Sequence, residues 1–310
     1  AGATGTIGQA VARALLADGM RVVAPIRKDT QATLRDIDYR LCDVTDKAAL
    51  NQALGKTRVD ALISCLASRT GAPKDAWAID QSAQETLLSA ALARDCKHAI
   101  LLSAICVQKP QLAFHHAKLA YESHLKAHAP IWTIVRPTAF FKSLSGQLNR
   151  LRDGKPFLVF GDGRETACKP ISDRDLARFI ADCLDDPARH NVVLPNGGPG
   201  TALTPLEQGT LLFEALGMTP HFRHVPFALM DCIIGALSLG GIVSPNLRAK
   251  ADLARIGRFY ARESMLVWNE AAARYDAKAT PETGQDTLKD HYAALARGEI
   301  SVDLREHAVF

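Results

Sequence analysis

The stretch Gly2-Ala3-Thr4-Gly5-Thr6-Ile7-Gly8, followed by Gln9-Ala10-Val11-Ala12-Arg13-Ala14-Leu15-Leu16-Ala17-Asp18-Gly19, decides the fold. Its glycines are spaced G-x-x-G-x-x-G, and apolar residues then recur at three-and-four spacing until Gly19, so the run reads as a glycine turn opening a helix that a glycine closes. Glycine lets backbone approach a phosphate, while a helix N-terminus offers N–H donors and the positive end of its dipole. Gly2, Thr4, Gly5, Thr6, Ile7 and Gly8 are therefore the expected cradle of a dinucleotide pyrophosphate. Such a turn follows a strand, so a first strand is expected ahead of Ala1; without it the sheet would lack a central member.

Working outward, short apolar strands at 21–26, 39–43, 59–66, 98–103 and 132–136 alternate with helical patterns at 47–54, 81–93 and 112–127. Strands alternating with helices specify an α/β fold, a Rossmann-type doubly wound parallel sheet covered on both faces. From about Phe140 the pattern loosens into Pro- and Gly-containing segments with one further helix at 174–184. The expected division is a dinucleotide-binding domain over 1–139 and a smaller substrate lobe over 140–310, with 170–196 returning to the sheet.

Composition narrows the function. The 310 residues are 47% hydrophobic and 23% charged, and 37 Lys+Arg against 33 Asp+Glu leave only +4. Cations scattered in this way argue against nucleic acid. Seven cysteines without a Cys-x-x-Cys pair indicate neither a metal knuckle nor a disulfide framework, and suit a reducing, cytoplasmic or plastid compartment. The most apolar run, 226–243, contains Asp231 and three glycines, which reads better as a buried or pocket-covering helix than as a membrane span, and leaves room for contact with a membrane surface.

The second strand ends at Arg27-Lys28, where an acidic residue would meet a free ribose 2′-OH. Two adjacent cations instead suit a 2′-phosphate, which favours NADPH. The ends of the next strands supply further cofactor-contact positions: Asp43 and Val44, the former in reach of the adenine amino group, then Cys65, Leu66 and Ala67.

These motifs resemble the atypical and extended short-chain dehydrogenase/reductases, in which a strand ends in Ser and the next helix carries Tyr-x-x-x-Lys. Ser103 fits the serine and Lys118 the lysine, but the tyrosine position holds Phe114. The resemblance implies that Lys118 bonds the nicotinamide ribose; the missing phenol disfavours carbonyl chemistry. Reduction of a conjugated C=C bond suits such a site, because the π-system takes the hydride and the carbanion is delocalised, which leaves an undemanding protonation. Cys106, His115, His116, Tyr121 and water are the donors to weigh, histidine having the most suitable pKa.

Longer segments, among them Leu102-Ser-Ala-Ile-Cys-Val-Gln-Lys-Pro110, Ile134-Val-Arg-Pro-Thr-Ala-Phe-Phe-Lys-Ser-Leu144, Ile256-Gly-Arg-Phe-Tyr-Ala-Arg-Glu-Ser-Met-Leu-Val267 and Thr280-Pro-Glu-Thr-Gly-Gln-Asp-Thr287, resemble the family of divinyl chlorophyllide and protochlorophyllide 8-vinyl reductases over nearly the whole chain. The resemblance implies an NADPH-dependent enzyme of chlorophyll or bacteriochlorophyll synthesis that turns a vinyl group into ethyl, cytoplasmic or plastidic and in reach of photosynthetic membranes. By their position just past the fifth and sixth strands of the expected sheet, Cys106 and Lys109, and Thr138 to Phe140, are expected to flank the nicotinamide, with Pro137 a further cofactor-binding residue. Residues 227–243 with Phe140 and Phe141 are expected to wall a pigment pocket, and Lys142, Lys169 or Arg69 to meet the pigment carboxylate. Two other readings stay open: a tyrosine-less reductase of a small phenolic, similar to isoflavone reductases, and a non-catalytic dinucleotide sensor similar to NmrA proteins.

Overall fold

A computed structural model describes residues 1–27, 32 and 34–301. The chain divides into two units, 1–137 with 173–196 and 138–172 with 197–310. The expected boundary at 139 thus lies at 137, and the return to the first unit runs over 173–196.

The first unit opens with the glycine turn and α1 (Thr6–Ala17), then β1 (Val22–Ile26), β2 (Ile37–Leu41), α2 (Lys47–Leu54) and β3 (Ala61–Ser64). Where the sequence suggests one helix over 81–93, the chain instead forms α3 (Pro73–Ala76), a π-helical turn at Trp77–Ala83, and α4 (Gln84–Leu92). There follow β4 (His98–Leu102), a 3₁₀ turn at Ile105–Gln108, α5 (Ala113–His128) and β5 (Ile131–Pro137). The second unit begins with α6 (Phe141–Leu144), α7 (Leu148–Arg152) and β6 (Phe157–Phe160). The chain returns to the first unit for α8 (Asp173–Asp182) and β7 (Val192–Asn196). It then completes the second with α9 (Pro205–Ala215), β8 (Phe222–Val225), α10 (Phe227–Gly240), α11 (Pro245–Arg262), β9 (Val267–Asn269), β10 (Arg274–Asp276) and α12 (Leu288–Arg297).

In the first unit every strand pairing is parallel, in two groups: β1 with β2, and β3-β4-β5-β7 in that order. Parallel pairing aligns the carboxyl ends, so the loops that begin at Arg27, Cys42, Cys65 and Ser103 open on one edge of their strands. Leu50, Leu87, Leu88, Leu101, Tyr121 and Ile134 are core residues on one face. On another, α1 packs against α8, where Arg178 pairs with Asp18 at 2.7 Å.

Between the edges of β1 and β3 lies a cavity of about 710 Å³, lined by residues 22–25 of one strand and 61–63 of the other and by Ala3, Gly8 and Val11. Ala1 stands beside it. Its buried amino group donates to Ile63 O at 2.7 Å, and Cys65 N donates to Ala1 O at 3.1 Å, which continues the alternation of a parallel ladder.

The second unit has its own core, in which Phe141, Leu151, Phe157, Leu212, Phe213 and Tyr292 pack around the parallel pair β6-β8. Gly209 on α9 lets that helix close on the pair, since a Cβ there would stand 2.6 Å from the Phe222 ring.

Candidate functional site

The glycine turn is built by contact. Gly2 has φ +77, a left-handed backbone that favours glycine, and a Cβ on it would lie 2.7 Å from the Cys65 carbonyl. A Cβ on Gly8 would stand 2.0 Å from Gly2 O. Both glycines are therefore required by close approach, which folds the turn flat against the end of β3. Gly5 is different. Its N–H donates to Gly2 O at 3.1 Å, it caps α1 in extended conformation, and the nearest atom to an added Cβ is 3.5 Å away. No side chain caps the helix there, so α1 keeps its N-terminal dipole for an anion. Gln9 braces the turn, its Nε2 donating to Thr4 O at 3.0 Å. The exposed Gly5 above an uncapped helix start fits a dinucleotide pyrophosphate.

Around the turn, Arg27 follows β1 and is exposed, while Lys28, named with it for the 2′-phosphate, lies outside the described residues. Asp43 is exposed, and its Oδ1 accepts from Thr45 N at 2.9 Å and Thr45 Oγ1 at 2.7 Å. Those bonds, with a smaller contribution from the Arg27 charge, hold its carboxyl below the ordinary range. Neither of these two bonds uses the other Asp43 oxygen. Val44 beside it is buried in the core cluster. Cys65, Leu66 and Ala67 follow β3, and Gln84 holds this end in place: it accepts from Ser64 Oγ at 2.6 Å and donates to Leu66 O at 2.9 Å.

Lys118 on α5 is nine-tenths buried, and its Nζ donates to Asp80 Oδ1 at 2.9 Å. Asp80 is buried on the π-helical turn and accepts from Ser68 N at 3.2 Å, so lysine, carboxylate and the loop after β3 form one connected unit. The second Asp80 oxygen is buried with no partner among the described residues. Sequence reasoning missed Asp80, which stands just before the helix expected over 81–93, among other polar residues, and carries no distinctive local signal. A π turn widens the helix by one residue and is common where a side chain must be aimed.

Ser103 donates to Glu122 Oε1 at 2.6 Å. Glu122 in turn accepts from Arg136 Nε at 3.1 Å and from its Nη2 at 2.5 Å, forming a partly buried ion pair one turn beyond Lys118. The serine hydroxyl hydrogen is thus committed inside the unit. Phe114, at the tyrosine position, is buried one turn before Lys118.

The proposed proton donors separate by environment. His115 is fully buried, its Nδ1 accepts from Gln111 N at 3.1 Å and Leu112 N at 3.2 Å, and burial pushes its pKa down to about 4. It is a neutral ring bracing the start of α5, which corrects its assignment as an acid. Tyr121 is buried in the core, and burial pushes its phenol well above the ordinary value. Cys106 is buried on the 3₁₀ turn, whereas His116 is exposed.

Pro137 ends β5 in the first unit, and Thr138 and Phe140 belong to the second. There Thr138 Oγ1 donates to Lys169 O, and Phe141 is core rather than pocket wall. Lys169 is no reserve cation for a pigment carboxylate, because its buried Nζ donates to Glu282 Oε1 at 2.6 Å and Thr280 O at 3.2 Å. Lys142 is half-buried and Arg69 exposed. Helix α10 buries only Met230, so the expectation of a buried helix over 226–243 is corrected. None of the seven cysteines is in a disulfide, and no cluster among the described residues has a metal-ligand set.

A family profile described as NAD(P)H-binding matches residues 2–187. Among solved structures, an NADPH-dependent quinone oxidoreductase of Escherichia coli, complexed with NADPH, superposes with TM-score 0.68 at 19% identity over 95% of this chain and 98% of that one. The Bordetella bronchiseptica enzyme WbmH with NAD+ gives 0.66 at 18% identity over 99% and 97%. These likenesses establish a Rossmann-like α/β fold. Among curated relatives, the chloroplastic divinyl chlorophyllide a 8-vinyl-reductase of Arabidopsis thaliana is 44% identical over 96% of this chain and 76% of its own length. The Cucumis sativus protein of the same name is 45% identical over 100% and 78%. With 44–45% identity over nearly its whole length to these reductases and an NAD(P)H-binding profile over residues 2–187, the chain belongs to the NAD(P)H-binding divinyl chlorophyllide a 8-vinyl-reductase family.

Proposed function

We propose that this protein reduces the 8-vinyl group of divinyl chlorophyllide a, or of its protochlorophyllide counterpart, to ethyl, using NADPH. The observation that carries the reading is the 44–45% identity, over 96–100% of the chain, to reductases so named.

The chain's residues divide the work. Gly2, Gly5 and Gly8 bring backbone N–H groups and the start of α1 to the pyrophosphate, and Arg27, with Lys28, neutralises the 2′-phosphate. Lys118 bonds the nicotinamide ribose, and the buried Asp80 carboxylate sets its direction. Thr4, Thr6, Ile7, Asp43, Val44, Cys65, Leu66, Ala67, Ser103, Pro137, Thr138 and Phe140 contact the cofactor through backbone or side chain. NADPH, when bound, supplies the hydride. Across the vinyl bond one carbon gains that hydride and the other a proton, so the C=C bond becomes C–C and NADP⁺ is released. With Phe114 at the tyrosine position and His115 neutral, the proton falls to His116 or to water, the donors of those weighed that solvent reaches. A carbanion spread into a conjugated macrocycle asks little of its acid.

The test is incubation with NADPH and divinyl chlorophyllide a while the Soret band is followed. A blue shift toward the monovinyl product, with one NADPH oxidised per pigment, is expected. An unmoved band with NADPH intact sinks the proposal, and faster turnover with NADH would remove the role given to Arg27.

A further inference from the structure

Helices α10 and α11 form a hairpin whose turn carries the most exposed large apolar residues of the described chain: Leu239, Ile242 and Val243, at 71%, 80% and 86% exposure. We propose that this turn is a membrane-docking tip that inserts its apolar residues into the interface of an anionic lipid bilayer.

The tip is built rather than frayed. Gly241 N donates to Leu237 O at 2.8 Å, Val243 N to Gly240 O at 3.2 Å and Ser244 N to Gly240 O at 3.1 Å, and Arg248 N donates to Ser244 O at 3.1 Å as α11 begins. Gly240 and Gly241 permit the close crossing, since a Cβ on the first would stand 2.6 Å from the Leu247 side chain and one on the second 3.0 Å from Arg248 Cα. With the inner side of the turn filled in this way, Leu239, Ile242 and Val243 are left facing solvent. The apolar surface continues along α10 through exposed Ile233 and Leu229.

Charge identifies the occupant. Between Asp231 and Asp252 the only ionisable side chains besides Cys232 are Arg248 and Lys250, both exposed and neither in an ion pair among the described residues. At 1.5 Å per residue they lie about 5 Å and 8 Å along α11 from its start, which suits headgroup depth when an apolar tip enters by roughly 5–10 Å. The two flanking acids are already engaged, Asp231 with Arg258 and Asp252 with Arg255. A second copy meeting this tip across a twofold axis would therefore oppose its Arg248 and Lys250 to the same cations, whereas anionic lipid complements them. No helix among the described residues is long and apolar enough to cross a membrane, and the proposed contact is interfacial. This inference is independent of the proposed reaction.

The test is co-sedimentation with phosphatidylcholine vesicles made with and without phosphatidylglycerol, accompanied by analytical ultracentrifugation of the protein alone. Binding is expected only with phosphatidylglycerol. Arg248→Ala and Lys250→Ala should each weaken it roughly fivefold, and Ile242→Ser/Val243→Ser by more than about tenfold. The substituted side chains are exposed, so circular dichroism melts should match the parent. Absent binding, or binding that the Ile242/Val243 variant retains, would overturn the proposal, as would a dimer that the same variant disperses.

Discussion

Replacing Gly8 by Ala sets two physical effects against each other. Helix propensity alone predicts a gain of roughly 0.5–1 kcal/mol, because Ala has less backbone entropy to lose inside α1. The tertiary contact predicts a loss. An added Cβ would stand 2.0 Å from Gly2 O, 2.7 Å from Gly2 C and 3.1 Å from Ala3 Cα, so about 1.4 Å of relative movement is needed to restore contact, and all three neighbours are backbone atoms that cannot swing aside. The turn must lift from α1, moving Gly2 from the Cys65 carbonyl and spoiling the aim of the N–H groups on the pyrophosphate. A hydrogen bond to a charged group is worth roughly 1.5–3 kcal/mol, so losing the alignment of one costs between about tenfold and a hundredfold in NADPH affinity. Gly5→Ala serves as the control for stability, since its Cβ meets nothing nearer than 3.5 Å and its φ is ordinary. Fluorescence titration of NADPH and a thermal melt decide the matter. A Gly8→Ala protein that binds NADPH within threefold of the parent and melts no lower would refute the claim that close approach, rather than propensity, selects glycine there.

Lys118→Met should leave the buried Asp80 carboxylate uncompensated, at a cost of roughly 3–5 kcal/mol in stability. Asp80→Asn/Lys118→Met should recover most of that in urea unfolding while turnover stays low; recovered turnover would remove the ribose-anchoring role. His98 and His115 are both pushed down to about 4, chiefly by burial, with His190 adding to the first and His116 and Lys118 to the second. Because the unfolded rings bind protons near pH 6.5 and the folded ones do not, their contribution is complete above 6.5 and falls as pH drops to about 4, by on the order of 3 kcal/mol each. Urea unfolding across that range should show the decline; a flat profile would contradict it.

Much of the first unit was legible in the sequence because its signals are local. The G-x-x-G-x-x-G spacing, the alternation of apolar runs with helical periods and the cation at the end of β1 each follow from a few consecutive residues, and the absence of a catalytic phenol is read directly from Phe114. Those residues determined the α/β class, the cofactor loop and the shift of chemistry away from carbonyls. What only the tertiary structure decided lies in contacts between distant positions. Lys118 meets Asp80 across 38 residues, Lys169 meets Glu282 across 113, and Ser103 is drawn to Glu122 on the next helix. Residue type says that a carboxylate seeks a partner but not which one the fold delivers. The same limit governs His115, whose pKa is set by its burial, and the apolar run 226–243: hydropathy records what a side chain prefers, and only the packing of neighbours determines whether it is covered. In α10 it is not, and the sole buried residue is Met230.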